Sequence, residues 1–478
     1  MARTDHIASA GRILQQALRH HRAHRLQEAG ALYHRVLTAD PHCTVALQNL
    51  GLIAIERGRF PYAIELISKA ITCQPGDAGP YYNLGLAFHK SGQLAEAAAA
   101  YRRAGTLRPD FAEAHYNAGN ALKELGRVND AVTSYRQAIA ARPDFVEARA
   151  NLATSLAELG RAEEAAAEYR AALQLAPNSA ELHNNLGTTL SDLGCLGEAT
   201  ASYRRALSLD PGFVDALFNL HGTRYHETGE RAAECLEAVI RVAPDHALSR
   251  FLLGVLRERQ GREGEAAAHF TALPADCEFA AYGRDSWDYV KSASGAGGRM
   301  FGETTEGLEL GLSAAGRDGL VLEFGVRWGT TIRQIAARAG QDVHGFDTFT
   351  GLPEDWHEHT AGTYSTEGQL PPVPANVHLH AGLFEDTLPA FLAAHPGPVR
   401  FANIDCDLYS AARTVLTLLA PRIVPGTVLV FDEYLFTAHW REDEFKAFQE
   451  AVTAYGWRYE YLGFSLLSKQ AVVRITEV

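Results

Sequence analysis

From the N-terminus to residue 273, apolar positions recur at helical spacing, and small and aromatic residues fall on a fixed beat of 34 residues. Past residue 319 the pattern changes to short continuous apolar runs separated by amphipathic stretches: LVLEF at 320–324, VHGFD at 343–347, NVHLHAG at 376–382, VRFANID at 399–405 and TVLVFDE at 427–433. Strand alternating with helix predicts a parallel sheet covered on both faces. Two last runs, near 457–463 and 470–476, are close enough for a hairpin. The expected fold class is therefore α + α/β: an all-α solenoid at 1–273, a linker with entrance helices at 274–319, and a Rossmann-like domain at 320–478 with a mostly parallel, seven-stranded sheet. The linker carries an amphipathic stretch (Tyr282 to Lys291) and the glycine-rich SGAGGRMFG, read as a flexible segment.

Within the first part, prolines stand at 41, 75, 109, 143, 177 and 211, glycines at 58, 92, 126, 160 and 194, and tyrosines at 101, 135, 169 and 203. A period this regular denotes an array of units that bury their apolar faces only against one another. The pattern resembles the tetratricopeptide repeat, a helix-turn-helix unit, with repeats starting near 10, 44, 78, 112, 146, 180 and 214 and a shortened eighth. The early aromatic position departs from that family: Leu47, Tyr81, His115, Arg149, His183 and Leu217 stand where tryptophan is usual. Asn49, Asn83, Asn117, Asn151, Asn185 and Asn219 form a further column on the same beat. A column of carboxamides can grip an extended peptide backbone, since each group both donates and accepts; its more ordinary use is to bond neighbouring helices. Both readings stand, and the array as a whole predicts a protein or peptide partner.

The 478 residues carry a formal charge of −13, which argues against a general affinity for nucleic acid. Six cysteines with no CxxC pair suggest neither a zinc site nor a disulfide framework. No run long and apolar enough to span a membrane occurs, and the first residues lack the apolar core of a signal peptide, so a cytoplasmic location is expected. The LRHHRAHR stretch (18–25) spreads its charges around a helix and reads as a solvated face.

Candidate chemistry gathers in the second part. After the first strand, Glu323, Gly325, Gly329 and Thr330 form a strand, glycine turn and helix start. The spacing is not the GxGxxG of pyrophosphate binding; it looks like the ExGxxxG[ST] signature of class I S-adenosylmethionine methyltransferases, whose donor carries an ammonium and a sulfonium. Asp347, ending the second strand, suits a ribose diol or, alternatively, a helix cap. Phe384 is placed either against adenine or in the core. Two acid pairs, Asp405/Asp407 and Asp432/Glu433, end neighbouring strands, where like charges favour a divalent cation, magnesium ahead of manganese or calcium; helix capping by isolated acids is the alternative and could explain one pair.

Four motifs in order, Phe346-Asp347-Thr-Phe-Thr-Gly351-Leu-Pro353, Gly382-Leu-Phe384-Glu-Asp386, Ile404-Asp405-Cys-Asp407-Leu-Tyr409-Ser and Phe431-Asp432-Glu433-Tyr434, closely resemble the macrocin O-methyltransferase-like group. That resemblance implies methyl transfer from S-adenosylmethionine to a hydroxyl, often on a sugar, aided by Mg2+. It further implies Asp405, Asp432 and Glu433 as metal ligands and Asp407 as general base. Glu433 departs from the usual Asp-Asp pair. His439 is a lesser candidate base, better suited to a structural or substrate contact. The leading expectation is thus an O-methyltransferase acting on a sugar or glycan recruited by the repeats. The alternatives are an interaction scaffold with an inactive methyltransferase-like domain and, less fittingly, a glycosyltransferase.

Overall fold

The computed structural model describes residues 2–225, 229–274, 277–294 and 298–478. The chain forms two compact units, residues 1–177 and 178–478. In the first, antiparallel helix pairs follow one another from α1 (Ala2–Arg22) to α10 (Ala162–Leu175). The periodic small residues set how closely each pair approaches. On α7 (Ala112–Glu124), a Cβ at Gly119 would lie 2.5 Å from the Tyr135 ring of α8 (Val128–Ala141), so the tyrosine fills the space a side chain would take. Glycines such as Gly126 (φ +75°) close the first helix of a pair in the left-handed conformation, where other residues are strained.

The second unit opens with further helix pairs, from α11 (Ala180–Asp192) to α16 (Glu263–Thr271), followed by α17 (Glu278–Ser294). An eight-stranded sheet then forms: β1 (Arg299–Met300), β2 (Leu320–Phe324), β3 (Val343–Asp347), β4 (Val377–Ala381), β5 (Val399–Ile404), β6 (Val428–Phe431), β7 (Arg458–Phe464) and β8 (Ala471–Glu477). Their order across the sheet is β1-β7-β8-β6-β5-β2-β3-β4. All neighbours are parallel except β8, which runs antiparallel to β6 and β7, so the sheet is mixed. The expected seven strands are thereby corrected to eight. The additional one, β1, is two residues long and arises where Phe301 N–H donates to the Phe464 carbonyl at 3.0 Å. It falls inside the stretch read as a flexible glycine-rich segment, of which residues 295–297 lie outside the described residues. Helices α18 (Thr304–Ala314), α19 (Thr330–Ala339), α20 (Phe384–Ala394), α21 (Tyr409–Leu419) and α22 (Glu444–Tyr455) cover the faces. The central strands β2, β5 and β6 are buried almost throughout, as a doubly covered sheet requires.

The last helix pairs are built into the same core as the sheet. Phe251 of α15 (Ala247–Arg259) is fully buried and meets the Phe436 ring at 5.1 Å, and the backbone N–H of Phe436 donates to Ser286 Oγ of α17 at 3.0 Å. Asp285 takes both Arg441 nitrogens at 2.8 and 2.9 Å. On the opposite side, Gln334 of α19 accepts from Thr305 at 2.7 Å and donates to the Asp192 carbonyl at 2.8 Å. Gly302 passes so near α13 (Val214–Gly222) that a Cβ there would stand 2.0 Å from the Gly222 carbonyl oxygen. Truncating Phe251 to alanine should therefore destabilise the sheet-bearing unit by about 3–5 kcal/mol, although residue 251 belongs to the repeats. Denaturant unfolding monitored by tryptophan fluorescence of Trp440 and Trp457 measures this, and an unchanged midpoint would show that the repeats do not support the sheet.

Candidate functional site

The glycine turn is shaped by how closely it approaches β5. Gly325 has φ +91°, and a Cβ on it would fall 1.5 Å from the carbonyl oxygen of Asp405, so only glycine lets the chain leave β2 here. Gly329 (φ +76°) caps α19, whose first residue is Thr330. Glu323, within β2, is fully buried and accepts from Asn403 Nδ2 at 2.9 Å. Burial first, then the charges of Asp347 and Asp432, push its carboxyl up to about 8, against the lowering donors Thr331 and Asn403.

Asp347, expected at a ribose, is engaged with the main chain. Its Oδ2 accepts from the N–H groups of Val326 (2.8 Å) and Arg327 (2.7 Å), and its Oδ1 from that of Phe349 (2.7 Å). The carboxylate thus closes the glycine turn from the end of β3; with four lone-pair positions it retains room for one further donor. Phe384 opens α20 half-buried, its ring edge-on to Phe324 at 5.5 Å, and Phe324 in turn stacks on Phe346 at 5.2 Å.

The acids of β5 and β6 come together. Asp405 is driven well above the usual carboxylate range by burial and then by Asp432, Asp407 and Glu444. Asp407 is raised to about 7 by burial and by Glu433 and Asp432, with Arg327 opposing. Asp432 rises to about 6, again chiefly through burial. Asp407 has φ +60°, and the Leu408 N–H bonds to the Cys406 carbonyl across it at 2.6 Å. This tight three-residue turn is a strained conformation of the kind that persists where surrounding structure enforces it.

What enforces it was not visible in the sequence. Glu444, fully buried at the start of α22, accepts from the N–H of Cys406 and of Asp432, both at 3.2 Å, and so ties the ends of β5 and β6 together. Its neighbour Asp443, also buried, pairs with His357 Nε2 at 3.0 Å, and that ring stacks on His439 at 3.9 Å between centroids. His439 is thereby placed as a support for His357. The turn between β7 and β8 supplies Gln470, donating to Asp432 Oδ1 at 2.6 Å, and Lys469, contacting both Glu433 oxygens at 3.0 and 3.3 Å. Glu433, expected as a metal ligand, is held by the Lys469 ammonium, and among the described residues no group of three or more His, Cys, Asp or Glu side chains is placed to hold a metal ion. Asp405 and Asp432 remain as a close carboxylate pair. Glu444, Asp443, Lys469 and Gln470 carried no sequence signal, because they lie in the polar stretches REDE (441–444) and SKQ (468–470), which read as solvated turns.

Three of the six repeat asparagines bond along the array. Asn117 Nδ2 donates to Tyr82 Oη at 2.9 Å, and Asn151 Nδ2 to Tyr116 Oη at 3.2 Å and Asn120 Oδ1 at 3.0 Å. In the second unit Asn219 donates to Asn184 at 3.1 Å, while Asn185 accepts from Asn184 at 3.3 Å. Asn49 Nδ2 donates within its own helix, to the Val45 carbonyl at 2.8 Å, and Asn83 is half-buried on α5 (Ala78–Lys90).

Comparison with known proteins finds matches in both the repeats and the sheet-bearing part. Residues 322–434 match a family model described as a methyltransferase domain. Tetratricopeptide repeat models match residues 14–78, 116–180 and 225–281, and others match 66–99, 86–126 and 180–213. No curated protein matches the chain. Among solved structures, YrrB, described as a TPR protein with an unusual peptide-binding site, is 30% identical, covering 39% of this chain and 96% of that one with a TM-score of 0.36. MamA is 26% identical over 34% of this chain and 94% of its own (TM-score 0.33). The C-terminal part of a TPR repeat-containing protein from Cytophaga hutchinsonii is 14% identical over 50% and 99% (TM-score 0.45). The chain accordingly carries an array of tetratricopeptide repeats followed by a methyltransferase domain.

Proposed function

We propose that this protein is an S-adenosylmethionine-dependent O-methyltransferase, assisted by a divalent cation, whose acceptor is a hydroxyl of a sugar or glycan. The repeats recruit the acceptor or a partner protein, with the asparagine column contributing to that capture. The observation that carries the reading is the brace of Glu444 on Cys406 N and Asp432 N, which gathers Asp405, Asp407 and Asp432 beside the glycine turn. A domain kept only for its shape has no physical need of buried like charges held together, because each destabilises the others. The hydroxyl and sugar specificity rests on the macrocin O-methyltransferase-like motifs. S-adenosylmethionine is the usual methyl donor of such domains, and a cationic donor suits the acids gathered beside the turn.

Asp405 and Asp432 would be the oxygen donors for a hard cation, although Gln470 already donates to Asp432 and the Lys469 charge acts on it; magnesium commonly takes one or two protein carboxylates and keeps water in its other positions. When bound, such an ion supplies Lewis acidity that makes a hydroxyl more acidic. The chain's own contribution is Asp407, whose carboxyl near 7 is matched to accepting the acceptor's proton as its oxygen takes the methyl group. Its strained turn fixes that carboxylate in direction. Phe384 and Asp347 border the donor, Asp347 through its remaining lone pair. A cytoplasmic location is part of the proposal; the six cysteines are free thiols, and no described helix is long and apolar enough to cross a membrane.

Calorimetry on the full chain should detect S-adenosylmethionine binding that weakens roughly tenfold or more in Asp347→Ala, since the turn loses its clamp. Absence of binding in the unmodified protein would remove the enzyme reading. Asp407→Asn should keep donor binding and lose transfer of labelled methyl to acceptors in lysate by about 100-fold or more; full transfer would reject the base. Glu323, with a carboxyl raised to about 8, binds its proton more tightly when folded than unfolded. Its contribution to stability is therefore fully present below the unfolded value near 4.5 and is lost as pH rises toward 8. Glu323→Gln should flatten that loss and raise the melting temperature at pH ~8.5 by about 2–4 °C for each kcal/mol regained, read by differential scanning calorimetry from pH ~5 to ~9.

A further inference from the structure

Where α20 lies on the outer strands of the sheet, the covered face carries imidazoles in place of aliphatic side chains. His344 and Phe346 of β3 stand opposite His378 and His380 of β4 in the strand register, and alternation puts all four on one face. On that face the Phe391 ring of α20 meets His344 at 4.6 Å and His380 at 5.1 Å between centroids. His395, which closes α20, stacks on Phe391 at 4.2 Å and lies 5.0 Å from His344. His344 is the buried centre of the group, stacked on His378 at 5.1 Å and joined through Nδ1 to His380 Nε2 at 3.2 Å. That bond needs an unprotonated nitrogen on one ring, because an imidazolium only donates. A proton on both rings abolishes it and sets like charges against each other.

The surrounding charges do little to offset added protons. Asp342, before β3, places Oδ2 3.5 Å from His378 Nε2, with both groups open to solvent. The acids of α20, Glu385 and Asp386, stand in its first turn, at the opposite end from His395. β2 contributes the uncharged Phe324, and Arg422 donates to the Leu392 and Gly397 carbonyls on either side of His395, adding a positive charge. Burial first, then His380, His378 and His395, lower His344 to about 4 against the opposing Asp342, and burial with His395 and His378 lowers His380. Two paths lead from this cluster to the glycine turn. The Gly382 N–H, just after β4, donates to the Asp347 carbonyl at 3.0 Å, and the Asp347 carboxylate holds the Val326 and Arg327 N–H groups. His380 stacks on Phe346 at 4.5 Å, Phe346 on Phe324 at 5.2 Å, and Phe324 meets Phe384, the first residue of α20, at 5.5 Å.

We propose that the face formed by His344, His378, His380 and His395 is an acid-sensitive latch: neutral, it fastens β4 and α20 to β3, and on taking up protons it releases them together with the methyl donor. The donor's release rests on the methyltransferase reading above; the loosening of β4 and α20 does not. His344 binds its proton less tightly folded than unfolded, so its contribution to holding these elements is fully present above the unfolded value of 6.5 and is lost as pH falls toward 4. This runs opposite to Glu323, whose contribution fades as pH rises, so the two groups bound the working range from either side.

Hydrogen exchange read by mass spectrometry on the full chain, corrected for the intrinsic pH dependence of exchange, measures the latch. Between pH ~7 and ~5, opening of residues 377–395 should rise about tenfold or more while that of β5 and β6 stays within about twofold. The double variant His344→Gln/His380→Gln, whose amides take no proton in this range, should hold 377–395 within about twofold over the same span. His344→Leu, which fills the central space with an apolar side chain, should move the result in the same direction and serves if the double variant does not fold. Calorimetry with S-adenosylmethionine on the same samples should show a loss of affinity from pH ~7 to ~5 that is about fivefold or more greater in the unmodified protein than in the variants. A rise at 377–395 matched by β5 and β6, or equal in the variants, would overturn the latch. Donor affinity falling alike in all the proteins would overturn the release of the donor. If no donor binds at any pH, the methyltransferase reading fails, and the exchange data still decide the latch.

Discussion

The acid site depends on a single buried carboxylate. Glu444 takes one backbone N–H from the end of β5 and one from the end of β6, and so adds a side-chain brace to two paired strand ends that already carry their acids side by side. Burial and the neighbouring acids hold the Glu444 carboxyl well above its ordinary range. Such an arrangement is costly; the Cys406 N–H has its acceptor in Glu444, and a buried N–H without one costs about 1–3 kcal/mol, whereas the Asp432 N–H is shared between Glu444 and the Ile404 carbonyl at 3.1 Å. The strain at Asp407 and the repulsion between Asp405 and Asp432 arise at the same place, where β5 and β6 come together at their carboxyl ends.

Around this brace, α22 and the β7–β8 turn act as two hands. The start of α22 offers Glu444 inward and Asp443 toward His357, on the long excursion between β3 and β4. The β7–β8 turn offers Gln470 and Lys469 to the two acids of β6. The acidic site is therefore assembled from segments distant in sequence, each contributing one or two polar side chains. Asp347 does the corresponding work for the glycine turn, holding three backbone N–H groups that would otherwise point into open space.

Much of this architecture was legible in the residues, and the exceptions have definite causes. The repeats were readable because a small residue and a large one must fit one another from unit to unit, as Gly85 and Tyr101, Gly119 and Tyr135, and Gly187 and Tyr203 do. The strands β2 to β8 appeared as apolar runs because a doubly covered sheet demands them. By contrast β1 is two residues whose strand character comes wholly from its neighbour β7, so no local pattern announces it. The join between units at 177 and 178 was hidden for the opposite reason: the period runs straight through it, with Pro177 and Pro211 on the same beat. At the site, the acids Asp405, Asp407 and Asp432 stood out at strand ends. Glu444, Lys469 and Gln470 did not, because a polar residue in a polar turn looks the same whether it faces water or a buried carboxylate. The ribose assignment of Asp347 competes with its observed bonds, as aspartates at strand ends can satisfy either a ligand or a turn.

The placement of Phe251 and Gly222 in the sheet-bearing unit bears on how such a chain can change over time. Repeats before residue 177 contact chiefly their own neighbours, so whole 34-residue modules can be gained or lost there by duplication or deletion with little penalty. Repeats after it serve as a fixed buttress, and a module inserted among them would break the core they share with the sheet. Diversification of what the protein captures is thereby confined to one end of the polypeptide, while the chemistry at the other stays constant.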